Sequence, residues 1–191
     1  MKFIEVPLKG IWVIEPKIHR DSRGFFMESY HKKEFAGYGI TDEFVQDNIS
    51  ASPKGTLRGL HYQLHPYAQG KLVRVVRGSV FDATVDIRRG SPTFGKWFGY
   101  HLSDDNRHAI WIPPGFAHGF LVLSDEAEFA YKCTAFYAPA AERTIAWNDP
   151  EIGIQWPAVP NTALMSQKDC NAKKLNDAEI NFEYGFNSCG T

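Results

Sequence analysis

The sequence predicts an all-β protein, a sandwich or barrel of short strands with a few short helices. Residues 81–88 and 126–135 alternate in character with a period of two, as strands with one face on a core do. Turn residues punctuate the rest, at Ser22-Arg23-Gly24, Ser52-Pro53-Lys54-Gly55, Arg89-Gly90-Ser91-Pro92 and Pro113-Pro114-Gly115. Many short strands between such turns make a sandwich or barrel.

In chain order, strands are expected at 11–18 and 24–30, then a turn or two of helix over His31–Ala36, then strands at 43–50 and 56–63. Lys71–Arg77 is Val-rich and meets the next strand across Gly78-Ser79, the signal of a hairpin. That next strand sets Phe81, Ala83, Val85 and Ile87 on one face and Asp82, Thr84, Asp86 and Arg88 on the other, and reads as half-buried. Strands follow at 96–102, 108–112 and 117–123. The next carries Ala127, Phe129, Tyr131, Cys133 and Ala135 on one face, with Glu126, Glu128, Lys132 and Thr134 on the other. A last strand is expected at 142–147. Ser166–Leu175 begins with an N-cap serine and carries Lys173 and Lys174 late, as a helix does. Residues 176–191 are polar with Gly and Asn, and are expected to be a loosely packed tail. No repeat, low-complexity tract or linker interrupts the chain, so one domain over 1–191 is expected.

Composition narrows the function classes. Of 191 residues, 43% are hydrophobic and 23% charged, which suits a folded chain with one core. Lys plus Arg number 21 against 22 Asp plus Glu, a net charge of -1. That balance argues against nucleic-acid or anionic-membrane partners, though not against a small basic pocket for phosphate. No apolar run reaches the ~18 residues of a membrane span. Glu5 and Lys9 break the apolar start, so it does not read as a secretory signal. Cys133, Cys170 and Cys189 lack CxxC spacing, and are expected as reduced thiols in a cytoplasmic protein.

Two of the seven histidines stand out by context, although a lone His in a β protein is ordinarily structural. His61, on a strand, shares a face with Leu57, Gly59 and Gln63, and the glycine leaves space beside it. His118 follows the Pro113-Pro114-Gly115 turn at the start of an apolar strand. This arrangement resembles the two halves of a cupin barrel. Cupins often hold a metal through three histidines and a glutamate. Here Gln63 stands where a second ligand belongs, so no metal site is expected. Tyr131 on the inward face is either a core aromatic or, beside an interior His, an acid–base partner. Lys71 is either a solvated strand end or an inward cation able to stabilise an oxyanion. Asp169 either sits in a first helical turn for dipole reasons or orients a histidine.

Eight motifs stand in order: Asp21–Glu28, Val45–Asn48, Leu57–Gln63, Lys71–Val75, Pro113–Phe120, Tyr131–Cys133, Trp147–Pro150 and Ser166–Asp169. Together they resemble the dTDP-4-dehydrorhamnose 3,5-epimerases, over residues 3 to 170. The resemblance implies a metal-free, cofactor-free cupin-type jelly roll acting on a nucleotide-linked 4-keto-6-deoxyhexose. It implies His61 as base, Asp169 as its carboxylate partner, Tyr131 as acid and Lys71 as the cation near the enolate oxygen. It further implies Arg23 and Arg58 on the diphosphate, Gln46 and Asn48 at the thymine edge or sugar, and Tyr137 stacked on the base. Glu28, His118, Glu142 and Lys168 complete the ligand-contacting positions. Finally it implies a homodimer in which residues near Arg23 serve the neighbouring site. A single-centre epimerase, a ketoisomerase and a non-catalytic sugar-nucleotide-binding cupin remain as alternatives. Tyr131 favours double epimerisation, and the joint presence of His61, Tyr131, Lys71 and Asp169 speaks against binding alone.

Overall fold

The computed structural model describes residues 1–157 and 164–185. Two antiparallel sheets face one another in a jelly roll. The first holds six strands: β1 (Lys2–Glu5), β2 (Trp12–Glu15), β5 (Gln46–Pro53), β7 (Lys71–Arg77), β10 (Ala109–Ile112) and β12 (Glu126–Cys133), in the order β1-β2-β10-β7-β12-β5. The second holds β6 (Leu57–Gln63), β8 (Ser79–Asp86), β9 (Trp97–Ser103), β11 (Phe116–Val122) and β13 (Glu142–Thr144), in the order β13-β6-β11-β8-β9. The all-β, cupin-type expectation holds. A separate hairpin pairs β3 (Ile18–Asp21) with β4 (Gly24–Met27), so the expected strand 11–18 is two strands in different sheets. β1 was not expected.

The core lies between the sheets. Val73, Val75, Ile110, Ile112 and Phe129 from the first meet Val80, Leu102, Phe116, Phe120 and Val122 from the second. Alternate residues point outward, and both outer faces are covered. Ile14, Leu72 and Trp111 pack under Phe35, from helix α1 (Lys32–Ala36), and Ile40. The His31 side chain caps α1 by accepting from the Glu34 N–H, as the expected short helix requires.

Several expectations are corrected. Gly78 does not make a hairpin: β7 and β8 lie in different sheets, and the chain turns the corner between them there. Its φ of +79° suits glycine, and a Cβ would fall 2.1 Å from the Glu126 carbonyl oxygen. β8 is not half-buried. Its polar residues Asp82, Thr84 and Asp86 share a face with Val80 and turn toward the barrel interior, all at 1% exposure or less. Val85, and Ile87 just beyond the strand, face outward, and Leu175, Ala178, Ile180 and Phe182 lie over them. The stretch expected as a loose tail is therefore packed cover as far as Phe182; residues 186–191, with Cys189, lie outside the described residues. The expected helix 166–175 is one turn, α2 (Gln167–Cys170), capped by Ser166 as expected. It stops because Lys173 pairs alongside Ile145, where its carbonyl accepts from the Ala146 N–H at 2.8 Å. The strand expected at 142–147 ends at Thr144. Among the described residues no helix is long and apolar enough to cross a membrane.

Candidate active site

The cavity between the sheets has a volume of about 350 Å³, within the size range of small-molecule sites. The alternation of each strand decides what lines it. On β7, Lys71 shares the inward face with Val73 and Val75, so it is a cavity residue and not a solvated strand end. On β12 the inward face continues from Phe129 to Tyr131 and Cys133, as expected. On β5 the inward residues Gln46, Asn48 and Ser50 form a polar wall.

β6 departs from the expected face. Gln63 lines the cavity with His61, but so does Arg58, three residues away, while Leu57 is fully buried opposite Leu121. The register explains this: from His118 to Phe120 on β11, two steps oppose three on β6, from His61 to Arg58. The extra residue reverses the parity, so Arg58 and His61 both turn inward. Two glycines permit it. Gly59 has φ +131°, and a Cβ on it would lie 2.4 Å from the Gly119 Cα.

His61 bonds through Nε2 to Asp169 Oδ1 at 2.5 Å. Asp169 is 3% exposed, and its other oxygen accepts from the Ser166 hydroxyl at 2.8 Å. Burial works against the carboxylate, but the bonds from His61 and Ser166 outweigh it and hold the Asp169 carboxyl below its ordinary range. Burial pushes the His61 imidazole below its usual value, although Asp169 opposes this. The pair is thus a neutral imidazole beside a charged carboxylate. Nε2–H donates to Asp169 and Nδ1 keeps its lone pair.

Burial also pushes the Tyr131 phenol up, so it stays protonated, and pushes Lys71 down. Cys133, the cross-strand partner of Lys71, is raised by burial and behaves as a thiol. His118 Nε2 bonds Asp82 Oδ2 at 2.7 Å, deep in the wall. Arg58 Nε and Nη2 both donate to the Ser52 hydroxyl, at 3.2 and 3.0 Å. Toward the solvent, the Tyr137 hydroxyl and the Lys168 ammonium both donate to Glu142, at 2.9 and 2.7 Å. The Tyr137 N–H donates to Gln46 Oε1, whose amide in turn donates to Asn48.

The cavity therefore gathers His61, Lys71, Tyr131, Gln46, Asn48, Arg58, His118, Tyr137, Glu142 and Lys168, with Asp169 directly behind His61. Arg23 and Glu28 are not brought to it. Both are exposed, and Arg23 forms an ion pair with Asp21 at 2.6 Å on the β3–β4 hairpin. Sequence reasoning missed Ser52 and Asp82, which brace Arg58 and His118. Asp82 gave no signal: alternation sets it on the polar face of its strand, and nothing local says that this face turns inward. Among the described residues no group of three or more His, Cys, Asp or Glu is placed to hold a metal ion.

A base-competent imidazole and a protonated phenol on opposite walls, with the Lys71 amine in the same cavity, suit proton transfer at a carbon made acidic by a neighbouring carbonyl. The chain is similar to known proteins over most of its length. The family model described as dTDP-4-dehydrorhamnose 3,5-epimerase matches residues 5–177. A protein of that name from Shigella flexneri is 56% identical over 180 residues, covering 94% of this chain and 98% of its own. A dTDP-6-deoxy-D-glucose-3,5-epimerase from Legionella pneumophila, solved in complex with dTDP-4-keto-L-rhamnose, is 53% identical with a TM-score of 0.88, covering 92% of this chain and 93% of its own. The structure of an epimerase from Mycobacterium tuberculosis is 43% identical with a TM-score of 0.90, covering 93% of this chain and 90% of its own.

Proposed function

The chain belongs to the dTDP-4-dehydrorhamnose 3,5-epimerase family, and from that premise we propose that it inverts C3 and C5 of dTDP-4-dehydro-6-deoxyglucose through an enolate, yielding dTDP-4-dehydrorhamnose. The observation that carries this reading is the placement of His61 and Tyr131. They enter one cavity from opposite sheets, β6 and β12. Inversion needs a proton removed from one face of a carbon and returned to the other.

The C4 ketone acidifies the hydrogens on C3 and C5. His61 takes the proton, and the C–H electron pair moves onto the ketone oxygen, where Lys71 opposes the growing charge. Tyr131 donates its hydroxyl proton to the opposite face of the carbanion and regains one from solvent, while His61 releases its own. Asp169 holds the imidazole in the tautomer that keeps Nδ1 free. Arg58 meets the diphosphate, where a guanidinium binds bidentately, and His118 completes the ligand-contacting wall. Gln46 and Asn48 meet the thymine edge or the sugar, and Tyr137 stacks on the base at the mouth, with Glu142 and Lys168 beside it.

Arg23 and Glu28 belong, in this reading, to the cavity of a second copy in a homodimer. Their exposure, Arg23 on the β3–β4 hairpin and Glu28 just after it, apart from their own cavity, supports that assignment. The protein is read as one domain, acting in the cytoplasm in rhamnose biosynthesis. The test is incubation with dTDP-4-keto-6-deoxyglucose in D2O, following both carbons by NMR. Deuterium at C3 and C5 with inversion at each is expected; inversion at one carbon alone means a single-centre epimerase.

A further inference from the structure

Residues 164–175 run alongside the start and middle of β6 and are pinned at both ends. Upstream, the Leu164 N–H donates to the Gly55 carbonyl at 3.1 Å, and the Leu164 carbonyl accepts from the Leu57 N–H at 2.9 Å. Downstream, the Lys173 carbonyl accepts from Ala146. The adjacent Ile145 exchanges both backbone bonds with Leu60, at 3.1 and 2.9 Å, next to His61. Between the pins, α2 delivers Lys168 to Glu142 and Asp169 to His61.

The final pin is a side chain from the Trp147–Pro150 motif, which supplies nothing to the cavity wall. Asp149 is 3% exposed. Its Oδ2 accepts from the Leu175 N–H at 2.7 Å and its Oδ1 from the Glu151 N–H at 2.9 Å.

We propose that Asp149 is a positioning residue for the His61–Asp169 pair. The proposal rests on the catalytic reading of that pair given above. A carboxylate is the side chain that accepts at both oxygens. An amide of the same shape accepts at one and turns an N–H donor against the other backbone N–H. One of the two bonds then fails, to Leu175 or to Glu151, and Asp149 no longer ties the downstream end of the segment to its own turn. α2 is a single turn and has little of its own to hold Asp169 in register. A catalytic contact displaced by about 1 Å loses up to ~100-fold in rate.

The experiment is a double-mutant cycle of Asp149→Asn and Asp169→Ala in the full chain, assayed on dTDP-4-keto-6-deoxyglucose below the melting temperature of every variant. The imidazole N–H proton is followed by NMR in parallel. Asp149→Asn is expected to lower kcat about tenfold with a smaller change in KM. In the Asp169→Ala background it should cost less than about twofold, because coupled residues are not additive. The downfield proton of the His61–Asp169 bond should move or vanish. Equal losses in both backgrounds, or unchanged kcat and proton resonance, overturn the proposal. Wild-type activity in Asp169→Ala instead overturns the reading of the pair itself, and the proposal with it. Asp149→Ser, which keeps one short acceptor, carries the same test if the Asn variant does not fold.

Discussion

His61 and His118 are direct cross-strand partners on β6 and β11, yet each is bonded to a different aspartate, Asp169 and Asp82. Partners in an antiparallel pair project to the same side of the sheet, so both imidazoles reach one cavity. Their braces differ. Asp82 is rooted in β8, inside the barrel. Asp169 arrives on a one-turn helix more than a hundred residues along the chain from His61. The brace on His61 therefore comes from a segment outside the two sheets.

The first prediction concerns pH. His61 must be neutral to accept a proton, and burial holds it below its usual value of 6.5. The acid limb of the kcat/KM profile should thus lie below that value. Asp169 raises the His61 pKa, so Asp169→Asn should move the limb to lower pH while reducing the plateau by about 10–100-fold. A pH–rate series on both proteins checks it; a limb moving to higher pH would contradict the assigned pairing.

Tyr131→Phe keeps the ring against Phe129 and loses only the hydroxyl. His61 should still exchange hydrogen for deuterium and return it to the same face. C5 should then incorporate deuterium with retained configuration, and inversion there should fall by about 100-fold or more. NMR in D2O separates the two events. Normal C5 inversion would mean that another group is the acid.

Arg58 is steered by Ser52, which is 2% exposed and accepts two of its N–H bonds. Arg58→Ala should raise KM about tenfold or more, as loss of a charge-assisted bond of ~1.5–3 kcal/mol implies. Ser52→Ala should raise it less, about two- to fivefold, with kcat little changed, and Ser52→Thr should restore it. Steady-state kinetics on all three discriminate; a fall in kcat at constant KM would place Arg58 in the chemistry.

Phe182 is 4% exposed and packs on Tyr62 and His65 over the outer face of the second sheet. Phe182→Ala should cost about 3 kcal/mol of stability, read by thermal or urea unfolding. A loosely attached tail would lose almost nothing.

Alternation and turn chemistry are local, and they were legible in the residues. The inward face of β12, the cap at Ser166 and most of the strand positions follow from a few neighbouring side chains. The family resemblance also pointed to the ten side chains that meet in the cavity. What lies beyond the local pattern was decided by tertiary structure. β8 carries an apolar and a polar face, and no count of residues says which one turns inward. The interior takes Asp82 because His118 is there to bond it, and the apolar face is buried because residues 175–182 cover it. Parity on β6 was read as unbroken, whereas the close approach of Gly59 and Gly119 inserts a residue and brings Arg58 beside His61. Gly78 has turn chemistry in either setting, and only the pairing of β7 with β10 and β12 makes it a corner instead of a hairpin. Strand pairing, sheet curvature and the covering of a face depend on groups far apart in the chain, so their energies appear only when the whole fold has closed.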